Sequence, residues 1–168
     1  DVTVKSSLLG QARFLRAYFY YNLVNIFGNV PMKVSISLSP ADALLPRTSV
    51  KEIYEKVIVP DLKDAEASEL PATPDGNGRV SKGAAKALLA KVYLSMAGFP
   101  ISDPSYYALA RDKALEVINS NNSFRLFESD GDLTWFDKLN NPDYDNREEH
   151  IFSVNYGIDI VNNVLPDQ

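Results

Sequence analysis

The sequence contains no cysteine, one histidine and one tryptophan. The lack of cysteine removes disulfides, thiolate metal sites and a cysteine nucleophile in one step. The single histidine, His150, lies beside Glu148 and Glu149; in that setting a surface role outweighs a catalytic one. Positive charge is also scarce, with 17 Lys and Arg against 22 Asp and Glu and a net charge of −5. Nucleic-acid binding asks for a basic face, so no nucleic-acid partner is expected. There is no run of about 18 apolar residues, the length a membrane-spanning helix needs. Nor does Asp1 open the basic start and apolar middle of a secretory leader. What remains is 168 residues, 45% hydrophobic and 23% charged, enough for one globular domain with a core of its own.

Catalytic and metal chemistry find little footing in the polar residues. Glu148 and Glu149 are adjacent, so on a strand they point to opposite faces and cannot form the opposed carboxylates of a glycosidase. They read as solvated charge flanking a strand. The Gly76-Asn77-Gly78 turn lacks the flanking residues of a phosphate-binding loop. Asp130, Asp132, Asp143 and Asp145 could ligate calcium, but Asp130-Gly131-Asp132 has no glutamate at the twelfth loop position. A polar surface loop is the stronger reading. No catalytic residue, metal site or cofactor is expected.

The informative stretch is 12 to 32, ARFLRAYFYYNLVNIFGNVPM. Leu8, Ala12, Leu15, Phe19, Leu23 and Ile26 recur at steps of three or four and make an apolar helical stripe. Phe14, Tyr18, Tyr20, Tyr21 and Phe27 widen it. The spacing therefore predicts a helix over 3–27 buried on two sides, ended by Gly28 and held open by Pro31. Leu15 and Phe19 are expected to be buried, and an apolar patch along this helix is expected to stay uncovered. Arg13 and Arg16 read as ion-pair or cation–π contacts to neighbouring helices rather than an anion site.

Between 29 and 47 the alternation of Val34, Ile36 and Leu38 with polar residues suits a short strand or an extended surface run. A second helix is expected over 49–69, opened by a Ser49–Glu52 capping box and kinked at Pro60. A third is expected over 81–97, capped by Ser81, with the stripe Ala85, Leu88, Leu89, Val92 and Met96. A fourth over 103–120 has Asp103 as cap and Pro104 at its first position. Beyond 124 the chain reads as irregular, with a strand-like run from His150 to Tyr156. The fold class is all-α: a tetratricopeptide-like α–α superhelical array with extended loops and at most a short strand or two.

Three blocks together resemble the SusD/RagB family of outer-membrane nutrient-binding lipoproteins. They are ARFLRA with its aromatics and GNVP, then IYEKVIVPDLKDAEASELP with GRVSKGAAKALLAKVYLSMAG, and last EEHIFSVNYG. Their order and spacing carry the resemblance. It implies a non-catalytic protein that binds an oligosaccharide or other nutrient at the extracellular face of the outer membrane. It further implies a SusC-like, TonB-dependent transporter as partner. Membrane attachment would come only from a lipid anchor on a cysteine that 1–168 does not contain. The resemblance also implies that 1–168 is the N-terminal helical region of a longer protein. A tetratricopeptide-like protein–protein interaction module is the alternative.

Candidate ligand contacts are Trp135, Tyr144, Asn155 and Tyr156. A flat aromatic face suits the apolar side of a pyranose, and Asn or Asp nearby suits its hydroxyls. Leu133 and Phe136 beside Trp135 favour a core role for that ring over a binding one.

Overall fold

A computed structural model describes residues 1–74, 78–120, 124–144 and 148–153. Helix α1 (Val2–Phe27) opens on the Asp1 carboxylate, which accepts from the Thr3 amide at 2.9 Å. It closes at Gly28, whose φ of 68° is a conformation that side-chain-bearing residues rarely adopt. Strands β1 (Val30–Pro31) and β2 (Arg47–Thr48) pair antiparallel and tie off the excursion between them. Val34, Ile36 and Leu38 lie in that excursion at 50%, 85% and 90% exposure, so their alternation marks no half-buried strand.

Helix α2 (50–67) is α-helical over Val50–Ile53, takes a π turn over Tyr54–Ile58, and is α-helical again over Val59–Ala67. The π turn answers Pro60. The Val59 amide bonds back to the Tyr54 carbonyl, five residues earlier, so hydrogen bonding shifts register just before a residue that has no N–H to give. The shift also brings both Val57 and Ile58 into the core. At its start, the Ser49 hydroxyl accepts from the Glu52 amide, while the Glu52 carboxylate pairs with Lys56. Helix α3 (Lys82–Ala97) is capped by the buried Ser81 as expected. Helix α4 (Tyr106–Ile118) starts a turn later than the sequence suggests. The Asp103 carboxylate instead shapes the turn before it, accepting from the Ser105 amide and hydroxyl at 3.0 and 2.7 Å. A short helix α5 (Trp135–Leu139) is the last α element among the described residues.

The helices pack in chain order, α1 on α2, α2 on α3 and α3 on α4, which makes an α–α array. Its core holds Phe14, Ala17, Tyr21 and Val24 of α1 with Ile53, Val57, Ile58 and Leu62 of α2 and Ala85, Leu89, Val92 and Met96 of α3. The predicted stripe of α3 is the buried one, with Leu88 half-buried at its edge. That of α1 is not. Leu8, Leu15, Phe19, Leu23 and Ile26 are exposed at 60%, 39%, 59%, 41% and 72%. The buried residues are Gly10, Phe14, Ala17, Tyr20, Tyr21 and Val24. At about 100° per residue the two stripes sit on opposite sides of the helix, so burial on two sides is replaced by burial on one.

The reason lies in fit. A Cβ on Gly10 would overlap the Ser68 side chain, so the bare glycine lets α1 approach the end of α2. Tyr21 sets its hydroxyl 2.9 Å from that of Ser95, and its ring meets Tyr54 edge-on. Burial pushes the Tyr54 phenol up to about 12, while its hydroxyl donates to Asn25 at 3.2 Å. Tyr20 accepts from the Lys33 amide and donates to the Lys33 carbonyl, pinning the segment after β1. Arg16 makes a two-point contact with the buried Asp61, at 2.6 and 2.7 Å, and Arg13 reaches Asp64 at 2.9 Å. Both arginines therefore hold α1 to α2, as the sequence suggests. A second charge network joins α2, α3 and α4 through Glu66, Lys86, Lys113 and Glu116.

Candidate functional site

Residues 124–144 and 148–153 form a small irregular unit around Phe127, which is buried at 5%. Tyr144 and His150 meet its ring edge-on at 5.8 and 5.5 Å. Its amide donates to the Glu149 carboxylate at 2.9 Å. Glu148 pairs with Arg125 at 2.9 Å, and this contact raises the Arg125 pKa. The two glutamates are therefore structural ties rather than solvated charge. The strand-like run is not observed where it is described: residues 150–153 are bends and coil. Phe152 nevertheless reaches back to α1, its ring edge-on to Phe14 at 5.1 Å and to Tyr18 at 5.8 Å. Phe127 was not among the sequence candidates. One apolar residue in a polar stretch carries no periodic signal, and only the three-dimensional contacts reveal it as a hub.

Helix α5 carries the tryptophan. The Thr134 hydroxyl accepts from the Asp137 amide at 3.1 Å, and the Asp137 carboxylate accepts from Thr134 in return, so this short helix is doubly capped. Trp135 is 53% exposed and Phe136 57% exposed, which corrects the core reading of Trp135. The two rings meet edge-on at 5.7 Å. Its neighbours Leu133 and Phe136 therefore build no core around it. Each end of the unit is fastened: the Trp135 amide donates to the Ser129 hydroxyl at 3.0 Å, and Lys138 pairs with Asp130 at 2.8 Å. The Lys138 hydrogen bond, with the Leu133 amide behind it, lowers the Asp130 carboxyl to about 2.

Tyr144 is half-buried, with the Lys138 ammonium 5.8 Å from its ring centre. It lines a polar cavity of about 190 Å³ with Arg125, Leu126, Glu128, Ser129, Asp130, Lys138 and Glu148. An apolar cavity of about 310 Å³ adjoins it, sharing Arg125, Leu126 and Glu148. Of the four candidate contacts, Trp135 and Tyr144 thus fall in one unit. Asn155 and Tyr156 lie outside the described residues.

The amino-acid sequence matches the profile of a SusD-like family, described as "Starch-binding associating with outer membrane", over residues 2–94. The chain belongs to the SusD-like family. SusD-like protein P2 of Formosa agariphila is 34% identical over 128 residues, which are 75% of this chain and 23% of that protein. A SusD superfamily structure from Parabacteroides distasonis superposes with a TM-score of 0.85 at 39% identity, covering 95% of this chain and 32% of that one. A laminarin-binding SusD-like protein aligns at 31% identity and a TM-score of 0.56, over 77% of this chain and 25% of its own. The chain thus spans about a quarter to a third of the relatives it matches. The α–α array is the tetratricopeptide-like helical scaffold of these SusD structures.

Proposed function

We propose that the protein carrying this chain binds an oligosaccharide at the extracellular face of the outer membrane and passes it unaltered to a SusC-like, TonB-dependent transporter. In this reading the chain is the N-terminal helical region, and a lipid anchor outside 1–168 holds the protein to the membrane. The observation that carries the proposal is the family match over 2–94, a family described as starch-binding and associating with the outer membrane. The laminarin-binding relative adds a second glucan to the candidates. Trp135 supports it with an exposed aromatic surface on a doubly capped helix. A non-catalytic role is supported by Glu148 and Glu149, whose carboxylates tie down Arg125 and the Phe127 amide. The alternative, a protein–protein interaction module, draws on the uncovered apolar face of α1.

Affinity electrophoresis of the full-length protein in gels containing starch, laminarin or an unrelated polysaccharide tests this reading. Retardation by a glucan, with no new reducing ends on prolonged incubation, is the expected result. Release of shorter sugars would overturn the non-catalytic reading. Free migration in every gel, with capture of a peptide partner instead, would favour the interaction module.

A further inference from the structure

Among the described residues, the backbone of the one tryptophan is hydrogen-bonded to a wall residue of the polar cavity. The Trp135 amide donates to the Ser129 hydroxyl at 3.0 Å, and Ser129 lines the cavity of about 190 Å³. We propose that this cavity is a subsite for one uncharged pyranose unit of a glycan, with Trp135 as the aromatic surface beside it. The inference rests on the glycan-binding reading and deepens it to a place and a ligand charge.

Size is the first argument. Pockets for drug-sized ligands begin at about 300 Å³, so this cavity suits a single ring.

Charge is the second. Arg125 and Lys138 both line the cavity, yet each is already matched, Arg125 by Glu148 at 2.9 Å and Lys138 by Asp130 at 2.8 Å. Glu128 adds a further exposed acidic residue to the wall. A sulfate or uronate would meet no unmatched cation here among the described residues. A neutral sugar offers hydroxyls, which can donate to the carboxylates and accept from the cations, and charged partners make the stronger hydrogen bonds.

Preorganisation is the third. The Asp130–Lys138 pair, the Lys138 bond to the Glu128 carbonyl at 2.7 Å and the capping box of α5 fix the wall before a ligand arrives. Ligand binding then orders few side chains. Tyr144 is braced in the same way by Phe127 on its edge. The adjoining apolar cavity, walled by Val117, Ile118, Phe124 and Ile151, offers hydroxyls little to bond and is left out of the subsite.

The test is calorimetric titration of the full-length protein with a neutral glucan and with its sulfated form, repeated on Glu128→Ala and Trp135→Ala. Glu128 is exposed; its carbonyl accepts from Lys138 through the backbone, and its carboxylate adds only a solvent-exposed charge near Arg125, so its variant should keep the parent's melting temperature to within a degree or two. The expected result is binding of the neutral glucan in preference to the sulfated one. Each variant should weaken it about fivefold or more, the scale of one lost hydrogen bond or ring contact. If the parent binds the neutral glucan and both variants stay within about twofold, the subsite is overturned while the glycan-binding reading stands. Tighter binding of the sulfated form overturns the charge argument and the subsite with it. If the parent binds no glycan, both readings fall.

Discussion

Helix α1 has two apolar faces, and only one of them is buried. Gly10, Phe14, Ala17, Tyr21 and Val24 face the core, while Leu8, Leu15, Phe19, Leu23 and Ile26 face outward. By hydrophobicity alone the outward face is the stronger candidate, with five large apolar side chains. The inward face includes a glycine, an alanine and a phenol. It wins because it fits. Gly10 leaves room for the Ser68 and Leu70 side chains at the end of α2, Ala17 is fully buried, and the Tyr21 hydroxyl finds Ser95. The two arginines beside it meet carboxylates on α2 three residues apart, Asp61 and Asp64, at the same spacing as their own. Burial of a helix face here follows shape and polar matching more than apolar content.

The largest effect should come from emptying the inward face. Phe14 is 1% exposed and in ring contact with Phe152, so Phe14→Ala should cost about 3–5 kcal/mol in denaturant unfolding. A variant as stable as the parent would mean that the faces have been assigned the wrong way round. Next comes the ion pair at the edge of that face. Arg16→Ala leaves Asp61, 5% exposed, without its partner and should cost about 2–3 kcal/mol, below the usual range for a fully buried pair because the Arg16 side chain is 41% exposed. Adding Asp61→Ala should recover part of that loss, since the uncompensated charge is then gone; a further loss would place the energy elsewhere.

On the outward face the same type of change should do little. Phe19→Ala, at a position 59% exposed, should stay within about 1 kcal/mol of the parent. The combined variant Phe19→Ser with Leu23→Ser should bind less of a hydrophobic dye than the parent. Unchanged dye binding would show that this face is not the exposed apolar surface.

The smallest effect contrasts the helical array with the Trp135 unit. Asp130 has its pKa depressed to about 2, chiefly by Lys138, so the order it lends to α5 is complete above the ordinary carboxylate value near 4. That order is lost as pH falls through about 2. Emission from Trp135 should therefore shift between about pH 4 and pH 2, and Asp130→Asn should show the acid-form emission already at neutral pH. A parent whose emission is flat through that window would sever Trp135 from the ion pair.

Much of the array is legible in the residues themselves. The Ser81 cap, the α3 stripe from Ala85 to Met96 and the arginine ties of α1 all follow local rules and are found where those rules put them. Pro60 announces a disturbance, although its form, a π turn that moves Ile58 into the core, depends on what α2 packs against. In the candidate site, legibility is lower. The sequence singles out Trp135 and Tyr144 by type, and the structure places them on one unit, but Leu133 and Phe136 misdirect by suggesting a core around the tryptophan. Phe127 leaves no trace in any pattern, because its partners Tyr144, Glu149 and His150 lie some twenty residues further on.

By itself the sequence determined that the chain would be helical, where most helices begin and end, and that thiol chemistry is absent. Caps, breakers and periodicity act within a turn or two of chain, so they can be read without the fold. Only the tertiary structure decided which face of α1 is buried, that Glu148 and Glu149 are ties, and that Trp135 stands in solvent. Those outcomes turn on close approach and on partners distant in the chain, and two stripes of equal period on one helix give a linear reading no means of choosing between them.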